Sequence, residues 1–204
     1  MSLPPPESSA SPIRRVVVYC ASSRSCDAVY HDEVRELGAL LAGAGIETIY
    51  GGGAHGSMGA LADGVLGAGG EVVGVLPNFM SELEWGHPEL TRLELVDDMR
   101  TRKHRMLELA DAVIALPGGC GTFEELMEAI TLKRLGLWNE PIVIVNTRGF
   151  FDPLVTLFDR AIRERFMNEQ HLAMWRVVAN ASEALPALAA APAWSEAARG
   201  FAVS

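Results

Sequence analysis

Cysteine is scarce in this chain: Cys20, Cys26 and Cys120 are the three in 204 residues. An odd number with no Cys-x-x-Cys spacing excludes a disulfide-stapled scaffold and a thiolate zinc cage, and it points to a reducing, cytoplasmic setting. Long apolar runs are also missing. None approaches the stretch of about 20 residues that spans a bilayer, so no membrane partner is expected. Residues 1–12 are rich in Pro and Ser and lack the apolar segment of a secretory signal, so they read as a disordered tail. Basic charge is not in excess. The net charge is -9 and the isoelectric point about 5.0, which argues against nucleic acid as a partner. Familiar catalytic signatures fail as well. No Gly-Lys-Ser/Thr closes a Walker A loop. His55, not glycine, stands two residues before Ser57, so there is no serine-hydrolase elbow. His31, His55, His87, His104 and His171 have no metal-ligand spacing, and no metal is expected.

What is present is an ordinary globular composition, 49% hydrophobic and 21% charged, in a chain long enough to bury a real core. Segments 16–20, 46–50, 72–76, 93–96, 112–116, 141–145 and 177–178 read as strands, and 16–20 and 112–116 are continuous apolar runs. Unbroken apolarity, rather than alternation, suits parallel strands covered on both faces. Helical spacing fills 27–44, 58–66, 99–110, 122–137, 150–166 and 182–190, while 78–90 is irregular. The alternation predicts an α/β fold: one Rossmann-like, doubly wound, mostly parallel sheet with helices on both faces, over residues 13–190. Residues 191–204 read as a C-terminal tail. Ligands of such folds sit beyond the carboxyl ends of the strands, so the loops at 21–25, 51–59 and 117–121 should share one edge.

Two of those loops are glycine-rich. Gly51-Gly52-Gly53-Ala54-His55-Gly56-Ser57-Met58-Gly59 contains a GxGxxG pattern. A dinucleotide site also wants an acidic residue at the end of the next strand, and that strand ends in Leu76-Pro77-Asn78 instead. The loop therefore reads either as a phosphate loop of another kind or as a tight turn packed for structural reasons. The second loop, Pro117-Gly118-Gly119-Cys120-Gly121-Thr122-Phe123-Glu124-Glu125, runs from strand to helix start and aims bare backbone N–H groups at an anion. Thr122 reads as the N-cap, with Glu125 three residues on completing a capping box, so Glu125 is either a cap or chemistry. Between the loops lies Met99-Arg100-Thr101-Arg102-Lys103. On a helical wheel Arg102 and Lys103 fall inside the apolar arc, which is costly unless an anionic ligand or a buried carboxylate meets them. Asp97 and Asp98 are the alternative neutralising partners. Glu124 and Glu128 repel one another at i,i+4, which either a solvated face or a cation such as Arg102 relieves.

These residues make the chain recognisable. The segment 117–125 resembles the PGGxGTxxE signature of the LOG (Lonely Guy) family, cytokinin riboside 5′-monophosphate phosphoribohydrolases often mislabelled lysine decarboxylases. Met99 to Lys103 resembles the family's second signature, and Gly51, Gly52, Gly53, Gly56, Met58 and Gly59 its first glycine loop. Cys20-Ala21-Ser22-Ser23 resembles its opening Cys-Gly-Ser-Ser, with Ala21 for glycine. The resemblance implies hydrolysis of the N-glycosidic bond of N6-modified adenosine 5′-monophosphates, AMP included as a candidate, without a cofactor. It implies Arg102 and Glu125 as the catalytic pair. Glu84, Lys103, Gly119, Cys120, Gly121, Thr122, Phe123, Glu124 and Thr131 are the implied substrate-binding positions. Ser22, Gly53, Gly56, Met58 and Gly59 form a second candidate nucleotide loop. Cys120 stands where relatives often carry Tyr, and a homodimer is implied. A broader purine or pyrimidine nucleotide nucleosidase and a non-catalytic nucleotide or cofactor carrier are the alternatives, because a fold does not dictate a function.

Overall fold

The computed structural model describes residues 12–83 and 85–201. The strands are β1 Arg15–Tyr19, β2 Glu47–Tyr50, β3 Val72–Pro77, β4 Arg92–Val96, β5 Ala112–Ala115, β6 Ile142–Val145 and β7 Trp175–Val178. They form one 7-stranded sheet in the order β4-β3-β2-β1-β5-β6-β7, and every neighbouring pair is parallel. The helices are α1 Ala28–Gly43, α2 Gly56–Gly67, α3 Asn78–Glu82, α4 Met99–Leu109, α5 Cys120–Arg134, α6 Asp152–Arg163 and α7 Ala184–Ala189.

The unbroken apolar strands are explained by a core on each side of the sheet. In β1, Val16 and Val18 face Leu37, Leu61 and Leu188 of α1, α2 and α7. Val17 and Tyr19 face the opposite layer, with Met106, Leu126 and Phe158 of α4, α5 and α6. Burial of each such side chain contributes roughly 1.5–3 kcal/mol, so both faces of the strand favour the fold. The chain winds outward from β1 to β4, then crosses over to β5 and winds the other way. The reversal between β1 and β5 opens a crevice at their carboxyl ends, which the pairing of Tyr19 with Ala115 sets level.

Three expectations change. First, α5 starts at Cys120, with Gly119 as its N-cap and no side-chain cap. Thr122 lies inside the first turn, so the expected Thr122–Glu125 capping box does not exist. The Thr122 side chain folds back against Gly118, where a Cβ would sit 2.1 Å from Thr122 Oγ1. Second, the irregular stretch 78–90 contains the short α3. Third, the expected C-terminal tail is described as far as residue 201 and is anchored. Trp194 Nε1 donates to Lys133 O at 2.7 Å, and Arg199 donates to Leu135 O at 3.0 Å and Gly136 O at 3.1 Å. These carbonyls lie where α5 ends, and Lys133 O also accepts from Gly136 N at 3.0 Å. The expectation of a disordered tail at 1–12 falls, apart from Pro12, outside the described residues.

Candidate active site

Loops from four strands converge on one cavity of about 430 Å³ at the carboxyl edge of the sheet. Ala21 and Ser22 follow β1, Gly51 and Gly53 follow β2, Leu76 belongs to β3, and the start of α5 follows β5. The three loops expected to share an edge do so.

Arg102 is anchored to the sheet. Asp98 accepts from Thr101 N at 2.8 Å and starts α4, which turns Arg102 inward until it is 7% exposed. Its Nε donates to Val75 O and its Nη2 to Gly51 O, each at 2.9 Å. Gly51 has to be glycine here, because a Cβ would stand 1.8 Å from Arg102 Nη2. The remaining nitrogen, Nη1, faces Glu125 Oε1 at 3.6 Å. A buried carboxylate therefore meets the inward arginine, and Asp98 is occupied as a helix cap.

Glu125 lies a full turn beyond the helix start, 9% exposed, with its carboxylate on the cavity. Burial raises its pKa from 4.5 to about 7, against the opposing pull of Arg102. Lys103 takes the other side of α4. Its ammonium pairs with Glu124 at 2.7 Å and Glu128 at 3.0 Å. The Glu124 hydrogen bond, supported by Glu128, holds the Lys103 pKa above its ordinary value. The cation that relieves the Glu124–Glu128 repulsion is thus Lys103, not Arg102.

Of the expected site residues, Arg102, Glu125, Gly119, Cys120, Gly121, Thr122, Ser22, Gly53 and Met58 line the cavity. Gly119 and Gly121 have nothing within 4 Å of a would-be Cβ, and neither has a positive φ. Neither position needs glycine for space or for a positive φ, and both leave the α5 backbone bare toward the cavity. Lys103 and Glu124 are engaged with each other beside the cavity. Phe123 points away and stacks on Phe150 at 6.2 Å. Thr131 is exposed, two turns further along α5. Gly56 and Gly59 face a separate hollow behind the glycine loop, and Glu84 lies outside the described residues. Sequence reasoning passed over Met80, Trp85 and His55, which also line the cavity. Met80 and Trp85 come from the irregular stretch, where no periodicity marks a face. With Leu76 and Met99 they make one wall apolar.

A doubly wound parallel sheet, with a buried arginine–glutamate couple facing a glycine-opened helix start across one crevice, defines a Rossmann-like α/β protein built to receive a small anionic ligand. Residues 58–188 match the family model described as "Possible lysine decarboxylase". The chain is 42% identical over 153 residues to the probable cytokinin riboside 5′-monophosphate phosphoribohydrolase LOGL1 of Oryza sativa subsp. japonica, covering 75% of this chain and 69% of that one. It is 39% identical over 162 residues to the cytokinin riboside 5′-monophosphate phosphoribohydrolase LOG2 of Arabidopsis thaliana, covering 79% and 76%. The chain belongs to this LOG family. Among solved structures, TM1055 superposes with a TM-score of 0.67 at 25% identity, covering 85% of this chain and 96% of that one. The molybdenum cofactor carrier protein of Chlamydomonas reinhardtii shares the fold, with a TM-score of 0.65 at 20% identity and coverage of 86% and 95%.

Proposed function

We propose that this protein hydrolyses the N-glycosidic bond of nucleoside 5′-monophosphates, those of N6-modified adenosine first, releasing the free base and ribose 5-phosphate. The observation that carries this reading is the Glu125 carboxylate, buried 3.6 Å from Arg102 in the cavity onto which α5 opens. Water adds to C1′ of the ribose as the C1′–N bond breaks, and the base leaves with a proton. Positive charge builds on the ribose in that step. Glu125 is assigned to stabilise this charge and to take the proton of the attacking water. The backbone N–H groups of Gly119 to Thr122 are assigned to the 5′-phosphate. Arg102, fixed by two backbone carbonyls, is assigned to keep Glu125 and the nucleotide in register. The apolar wall of Leu76, Met80, Trp85 and Met99 suits a planar base carrying an apolar substituent.

A pyridoxal-dependent decarboxylation is a poor fit. It needs a lysine on the cavity, and the chain has two lysines, Lys103 and Lys133. The first is held by Glu124 and Glu128. The second is buried with its ammonium on Glu140 O at 2.6 Å. Neither lines the cavity.

The homodimer is proposed on the outer face of α5, where Phe123 and Met127 are 41% and 39% exposed one turn apart and Thr131 continues the row. A cytoplasmic location is proposed with it; among the described residues no helix is long and apolar enough to cross a membrane. The test is chromatography of reaction mixtures containing N6-isopentenyladenosine monophosphate, AMP, CMP and the matching nucleosides. Free base from the N6-modified monophosphate, and not from its nucleoside, is expected. Release from all monophosphates alike supports the broader nucleosidase. Thermal stabilisation by nucleotide with no base from any of them supports the carrier and rejects the hydrolase.

A further inference from the structure

The glycine loop 51–59 separates two hollows. Its inner side, through Gly51, Gly53 and Met58, lines the catalytic cavity. Its outer side, through Ala54, Gly56, Gly59 and Ala60, floors a second hollow of about 440 Å³. The walls of that hollow are Arg24, Arg35, His31 and His55, with Asp63 as the one carboxylate. This is an unusual concentration of basic groups on a chain of net charge -9. Asp63 is itself engaged by His87 at 3.2 Å. Arg35 meets Asp32 at 3.0 Å, where both side chains are widely exposed, so that pair is weak and easily exchanged. His31 has both ring nitrogens occupied, by Ser57 Oγ at 3.0 Å and Cys26 Sγ at 3.5 Å.

Arg24 is the unexplained group. Among the described residues no carboxylate lies within ion-pair range of it. Its Nη2 stands 2.5 Å from His55 Nδ1 and 2.9 Å from Nε2. One nitrogen that near to both ring nitrogens lies over the imidazole face, where neither ring N–H nor lone pair points at it, so the contact supplies Arg24 with no counter-charge. An anion placed between Arg24, His55 and Arg35 would accept from all three and supply the missing counter-charge.

The geometry points to a second anion site, on the outer side of the 51–59 loop, for a phosphate or a small phosphorylated molecule held by Arg24, Arg35 and His55. This site lies across the loop from the catalytic cavity, with His55 lining both hollows, and it does not depend on the reaction proposed above. Its open mouth suits a soluble anion that exchanges rapidly. His31 lines the outer hollow and not the catalytic cavity, so its ring is a local reporter.

The test is titration of the full chain, at low ionic strength, with pyrophosphate and separately with ribose 5-phosphate, following the His31 ring by heteronuclear NMR. A saturable shift with either probe is expected, and the probe that saturates first names the chemical source. Arg24→Ala should weaken binding about tenfold, the loss of a charge-assisted contact. Arg24→Ala with Arg35→Ala should abolish the shift while nucleotide turnover persists. Both arginines are exposed, so folding should be retained. Asp63→Asn, which removes the one opposing charge, should tighten binding. A His31 ring unmoved by either probe, or moved equally in the double variant, overturns the site.

Discussion

Arg102 Nη1 stands 3.6 Å from Glu125 Oε1, with 8% and 10% of the two side chains exposed. At that separation the charges attract without sharing a hydrogen bond. The guanidinium is fixed instead by Val75 O and Gly51 O, so strand backbone holds the cation and the carboxylate remains available to a ligand. Burial and Arg102 pull the Glu125 pKa in opposite directions, and burial prevails.

The first prediction concerns pH. In the proposed role of base Glu125 must be ionised, and burial raises its pKa to about 7. The rate constant kcat/KM should therefore fall on the acid side of neutrality, with a limb close to that value. Arg102 lowers this pKa, so in Arg102→Met the limb should move to higher pH as activity falls. A profile flat from about pH 5 to 8 removes Glu125 from the role of base.

Stability should show the same group from the other side. A carboxyl whose folded pKa lies above its unfolded 4.5 contributes stability that is full at low pH and is lost as pH rises through about 7. Glu125→Gln keeps the neutral form throughout. It should match the parent in thermal melts near pH 4 and exceed it near pH 8 by roughly 1–3 kcal/mol. Its activity should drop on the order of 10²–10⁴-fold. An active, unstabilised variant counts against both roles.

Two glycines separate architecture from ligand approach. Gly51→Ala puts a methyl on the guanidinium of Arg102. It should cost about 1–3 kcal/mol and most of the activity together. Gly119→Ala meets nothing within 4 Å and should cost only about 1 kcal/mol, the penalty of alanine at the N-cap. Its nucleotide affinity should nevertheless fall, as read by titration. Unchanged affinity in Gly119→Ala argues against a phosphate at the start of α5.

The C-terminal anchor is tested away from the chemistry. Arg199→Ala removes donors to two carbonyls at the end of α5. Arg199 is half exposed, so the expected loss is only about 1 kcal/mol. Hydrogen exchange should quicken in the last turn of α5 and remain slow around Glu125. Uniform acceleration along the helix would show that the anchor supports the site as well.

The layout of the sheet was legible in the sequence because its central strands are apolar on both sides: Val16 to Tyr19 have no polar partner to alternate with, and no one-sided sheet tolerates that. The inward turn of Arg102 was legible for a similar reason, since helical periodicity fixes direction before any partner is known. Trp85 and Met80 were not legible. They sit in a stretch with no period, and only the turn after β3 brings them to the cavity wall. The Thr122–Glu125 capping box failed because Gly119 is the N-cap, which puts Thr122 inside the first turn with its side chain against Gly118.

By itself, then, the sequence determined the strand and helix alternation, the edge of the sheet where ligand loops gather, and the inward Arg102, because these follow from local periodicity and from the cost of burying charge. The tertiary structure decided the pairings. Lys103 rather than Arg102 takes Glu124 and Glu128, Glu125 is placed by burial rather than by a cap, and the two sides of one glycine loop serve two different hollows. Contacts between residues far apart in the chain depend on how helices cross the sheet, and no local pattern encodes that crossing.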